Sequence, residues 1–81
     1  MRIDKFLSTV NVVKKRSISE DMCKSGVVFI NDIKVKASKD VKISDIITLK
    51  YLENEQKFEV LDIPTSKSVS KKDKDKFVKE I

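Results

Sequence analysis

Ile3, Phe6, Leu7 and Val10 recur at i, i+3, i+4 and i+7, the spacing of a helix with one buried face. At about 100° per residue, Arg2, Lys5 and Thr9 fall on one flank of that stripe, and Asp4 and Ser8 on the other. Arg2 and Lys5 are then helical neighbours, able to meet one anionic partner together. Asp4 is placed to cap the start of the helix. The pattern breaks at Asn11, Val12 and Val13, which lead into three adjacent cations, Lys14, Lys15 and Arg16. Ser17 with Glu20 three residues on is a capping-box pattern and predicts a second helix with Ser17 as its N-cap. Ile18, Ser19, Met22 and Cys23 share one arc of that helix, and Glu20 and Lys24 form an i,i+4 pair opposite. Gly26, the only glycine in the chain, reads as the C′ residue, where left-handed backbone strains any side chain.

Beyond Gly26 the period changes to two. Val27–Ile30 predicts a strand, Asn31-Asp32 a tight turn that tolerates positive φ, and Ile33–Lys36 the returning strand. Alternation puts Lys34 and Lys36 on one face of it. Ala37–Asp40 reads as a loop and Ser44-Asp45 as a turn. Ile46–Leu52 and Gln56–Ile63 are the third and fourth strands, around an acidic turn at Glu53–Glu55. Phe6, Phe29, Tyr51 and Phe58 are assigned to the core. Pro64 closes a domain of residues 1–63. Residues 64–81 are rich in Ser and Lys and read as a tail, disordered or forming a short helix. Ser70 and Asp73 could cap that helix, which would form only when docked. The expected fold class is α+β: two short helices packed on a small, mainly antiparallel sheet of three to four strands, with a basic C-terminal tail.

Composition narrows the function. A chain of 81 residues makes one small domain with little room for a deep cleft. There is no histidine, so zinc sites and general-base chemistry lose their commonest residue. The lone Cys23 excludes an internal disulfide and reads as a buried core thiol. No apolar run approaches the roughly 20 residues that span a bilayer, so a soluble, cytoplasmic protein is expected. No nucleophile elbow, phosphate-binding loop or metal-ligand cluster stands out, and neither catalysis nor a cofactor is expected.

Charge is unevenly spread. Residues 1–42 hold ten Lys/Arg against five Asp/Glu, residues 43–63 two against five, and residues 64–81 six against three. Such separation suggests a polyanion-binding face backed by an acidic, solvated one. Lys14, Lys15 and Arg16 repel one another and stand at a helix start, where the dipole disfavours cations. Beside free backbone N–H groups, they read as a phosphate-docking corner more than a stability device.

These residues resemble a known family. Arg2-Ile3-Asp4-Lys5-Phe6-Leu7 is similar to the opening of small bacterial S4-type RNA-binding proteins. The resemblance continues in order through Arg16-Ser17, Met22-Cys23-Lys24, Gly26-Val27-Val28, Ile30-Asn31 and Val41…Asp45-Ile46-Ile47. It is strongest for the stand-alone members tied to ribosome-associated heat-shock and quality-control systems. It implies an S4-like αL motif that grips ribosomal RNA, and in those relatives also tRNA, on the large subunit. Arg2, Lys5, Lys15 and Arg16 would be the main contacts, with Lys14, Lys24, Asn31 and Lys34 in support. Three positions depart from the pattern: Asp32 and Ser44 replace glycines and Ser19 replaces an alanine, which stiffens or strains the two turns. A monomer is expected in the free state, without membrane attachment. The competing expectation is an adaptor whose Lys-rich tail binds acidic proteins or anionic surfaces.

Overall fold

The computed structural model describes residues 1–65 and 69–81, so the tail residues 66–68 lie outside the described residues. Two helices, α1 (Ile3–Thr9) and α2 (Arg16–Lys24), precede β1 (Val28–Ile30), β2 (Ile33–Lys34), β3 (Ile46–Lys50) and β4 (Glu55–Val60). The chain then makes a 3-10 turn at Lys71–Asp73, a single helical turn α3 (Lys74–Phe77) and a last strand β5 (Val78–Glu80). All strands pair antiparallel in the order β2-β1-β3-β4-β5. The α+β class is as expected, with five strands in place of three to four. Register places Val28 opposite Leu49, Ile30 opposite Ile47, Ile47 opposite Phe58 and Val60 opposite Val78. That face joins the fully buried stripe Ile3, Phe6, Leu7 and Val10 in one core.

The chain ends its helices with local backbone devices. Asn11 (φ 65°) and Gly26 (φ 76°) are the C′ residues of α1 and α2. Around each, the Schellman pair of hydrogen bonds forms: Asn11 N–H to Ser8 O and Val12 N–H to Leu7 O, then Gly26 N–H to Cys23 O and Val27 N–H to Met22 O. Asn31 (φ 52°) and Asp32 (φ 67°) make the predicted turn with both central residues left-handed. Ser44 stands at φ 77° and closes its turn through Asp45 N–H to Lys42 O. A side chain there costs roughly 1–2 kcal/mol. Ser44→Gly removes that cost but frees the unfolded chain by about 0.5–1 kcal/mol. The expected net is a gain of about 0.5 kcal/mol, read as a rise of about 2–4 °C in Tm.

Several boundaries move. The N-cap of α2 is Lys15, not Ser17, and no side chain among the described residues caps it. Arg16 is tied to α1, which draws the helix start two residues earlier, and Glu20 turns to Arg16 Nε at 3.6 Å instead of closing a capping box or pairing with Lys24. Ile18 is 43% exposed, and the buried positions of α2 are Ser19 and Cys23. β2 stops at Lys34 and β3 at Lys50, leaving Tyr51 and Leu52 exposed outside the core.

The C-terminal segment carries a short helical turn and then adds a strand to the sheet. β5 pairs with β4, and Val78 is 2% exposed within the core. Leu61 N–H donates to Phe77 O (2.7 Å), and the Asn11 side-chain amide donates to Val69 O (2.6 Å). Free backbone groups along β4 and one well-placed valine offset the segment's low apolar content. Val78→Ala is expected to cost about 2 kcal/mol in urea denaturation. An unchanged midpoint would place the segment outside the cooperative fold.

Candidate nucleic-acid interface

The first N–H groups of α1 need acceptors, and the 37–41 segment supplies them. Ile3 N–H donates to Lys39 O (2.7 Å) and Asp4 N–H to Ala37 O (3.4 Å). This fixes the start of α1 and the extended residue before it, Arg2 (φ −64°, ψ 147°). Because Arg2 is not helical, the helical wheel misplaces it opposite Asp4. Its side chain folds back onto that acid.

Asp4 is fully buried, and its carboxylate gathers the site. Oδ1 accepts the Lys5 N–H at 2.8 Å, satisfying a donor in the first helical turn. Arg2 Nε lies 3.2 Å from Oδ1, and its Nη2 donates to Oδ2 at 3.3 Å. Arg16 Nε donates to Oδ2 at 3.3 Å. The Ser19 hydroxyl sits between Asp4 O (2.7 Å) and Arg16 O (2.8 Å) and joins the two helices. Two arginines from separate segments thus share one carboxylate. Their side chains remain 48% and 45% exposed. Each guanidinium has five N–H donors, so most still face solvent.

The other predicted cations lie around this centre or further off. Lys5 is exposed on α1 beside Asp4, and Lys14 and Lys15 are exposed at the start of α2. Among the described residues no side chain caps that helix, so its first N–H groups add their partial positive charge to the same corner. Lys24, at the far end of α2, lines a recess of about 290 Å³ with Arg2, Cys23, Lys36, Ala37 and Ser38. Lys34 packs over the α2 stop, its Cδ 3.1 Å from where a Cβ on Gly26 would stand. The Asn31 amide is engaged in the fold: Nδ2 donates to Asp45 Oδ1 (3.2 Å) and Oδ1 accepts Ile46 N–H (3.0 Å).

Two members are not legible in the sequence. The local pattern gives Asp4 a capping role and does not show its hold on both arginines. Strand alternation groups Lys36 with Lys34, but Lys36 lies past the end of β2 and lines the recess beside Arg2. Cys23 is buried as expected. Desolvation first, then the Asp4 and Glu20 charges, push its thiol up, so it is protonated at neutral pH.

The S4 domain family matches residues 1–47. A Helicobacter pylori (strain J99) protein named RQC P-site tRNA stabilizing factor is 48% identical over 73 residues, covering 90% of this chain and 87% of the relative. The Bacillus subtilis (strain 168) protein of the same name is 33% identical over 73 residues, covering 90% of this chain and 81% of the relative. Among solved structures, Vibrio cholerae heat shock protein 15, a trimer, gives a TM-score of 0.88 at 27% identity, over 100% of this chain and 81% of that one. A hypothetical protein solved in solution gives 0.87 at 43% identity, over 100% and 96%. The family match spans both helices, the first hairpin and the carboxylate that pairs Arg2 with Arg16, and on that ground the chain belongs to the S4 domain family.

Proposed function

We propose that this chain is a non-catalytic RNA-binding protein that holds ribosomal RNA and tRNA on the large ribosomal subunit during quality control in the cytoplasm. The observation that carries this reading is the convergence of Arg2 and Arg16 on the buried Asp4. The P-site tRNA named for the relatives supports the choice of partner. Arg2, Lys5, Lys15 and Arg16 seat phosphates together with the open N-terminus of α2, while Lys14, Lys24 and Lys34 extend the field. Asn31 contributes through the shape of its turn. Phosphate contacts of this kind position the partner, so recognition rests on the shape of folded RNA. About six such contacts give log K a slope of roughly −4 to −5 against log salt.

The test is sedimentation of lysate through a sucrose gradient at low and high salt. The protein is expected with large subunits that carry tRNA at low salt, and at the top of the gradient at high salt. Sedimentation as free protein under both conditions would overturn the assignment.

A further inference from the structure

The recess beside Arg2 differs in character from the open cationic patch. Cys23 is buried, Ala37 is half-buried, and Arg2, Lys24, Lys36 and Ser38 are exposed around them. Apolar atoms thus form its floor and cations its rim. Arg2 lines the recess, and its guanidinium is oriented by two contacts to Asp4 (3.2 and 3.3 Å). A phosphate alone would gain nothing from an apolar floor, and would lose hydration against it. An unstacked base matches both parts, since unpaired RNA bases are held by stacking on guanidinium planes and by contacts to their edges. At about 290 Å³ the recess stands at the lower bound of small-molecule pockets, about 300 Å³, which suits one base and not a stacked pair.

We propose that this recess receives a single extruded base of the bound RNA. The base stacks on the Arg2 guanidinium over Cys23 and Ala37. Lys24 and Lys36 neutralise the phosphates on either side of it, and Ser38 offers its hydroxyl to the base edge. The inference rests on the RNA-binding reading above and adds a preference to it: the favoured target carries an unpaired nucleotide.

The test uses two hairpin RNAs, identical except for one bulged adenosine, titrated by fluorescence anisotropy at about 0.1 M salt. The bulged hairpin is expected to bind about fivefold to tenfold more tightly than its paired parent. Ala37→Leu, which fills the recess, lowers that ratio, and so does Lys36→Ala. The lysine is exposed, so its variant carries the test if the leucine disturbs folding. In the unaltered protein, 2-aminopurine at the bulge changes fluorescence on binding. Equal affinity for both hairpins, with a steep salt dependence retained, overturns the recess and leaves the RNA-binding reading standing. A ratio that survives both substitutions overturns it too. Absence of salt-sensitive binding to either hairpin removes both.

Discussion

The double variant Arg2→Ala/Arg16→Ala is expected to bind folded RNA about 100-fold more weakly at about 0.1 M salt, each lost charged hydrogen bond contributing roughly 1.5 kcal/mol. Its slope of log K against log salt is expected to be shallower by about 2, since each phosphate-neutralising cation accounts for about 1. Both effects follow from the half-exposed guanidiniums, which Asp4 holds on one side while leaving donors free on the other. Anisotropy across a salt series measures both at once. Lys79→Ala, on the outermost strand and outside the patch, controls for net charge. If the double variant keeps the full slope, or if Lys79→Ala matches it, the arginines are not the phosphate contacts.

Asp4→Asn separates positioning from charge. It raises the net charge by one, and long-range attraction alone predicts tighter RNA binding. The opposite is expected: affinity about tenfold lower, because arginines released from their partner must lose up to about 2 kcal/mol of side-chain freedom on binding. Breaking a buried pair costs about 3–5 kcal/mol, but both arginines here can rehydrate, so the expected stability loss is nearer about 2 kcal/mol. Asparagine still accepts the Lys5 N–H, which keeps the start of α1 intact. Urea denaturation and anisotropy on the same variant check both numbers. Tighter binding by Asp4→Asn would mean that the carboxylate acts on RNA only by repulsion.

The readable features were those whose cause is local. Four apolar residues at helical spacing determine α1, and left-handed backbone at Gly26 and Asn31-Asp32 follows from residue types that tolerate it. The cationic corner was legible because three of its members are adjacent in the chain. The Asp4–Arg16 pair was not, because it joins segments whose docking no periodicity records. Its consequence, the early start of α2 at Arg16, was missed with it. β5 was hidden for another reason: three residues with one buried side chain give no repeat, and the partner strand supplies the rest. Lys36 depended on where β2 stops, and strand ends are poorly marked by alternation.

The outermost strands of the sheet are β2, of two residues, and β5, of three. A growing polypeptide with unpaired backbone would find few donors and acceptors there on which to add itself. Lys34 and Lys79 set charges on those rims, where a further chain would have to align. Such short, charged margins leave little backbone on which another extended chain could template itself.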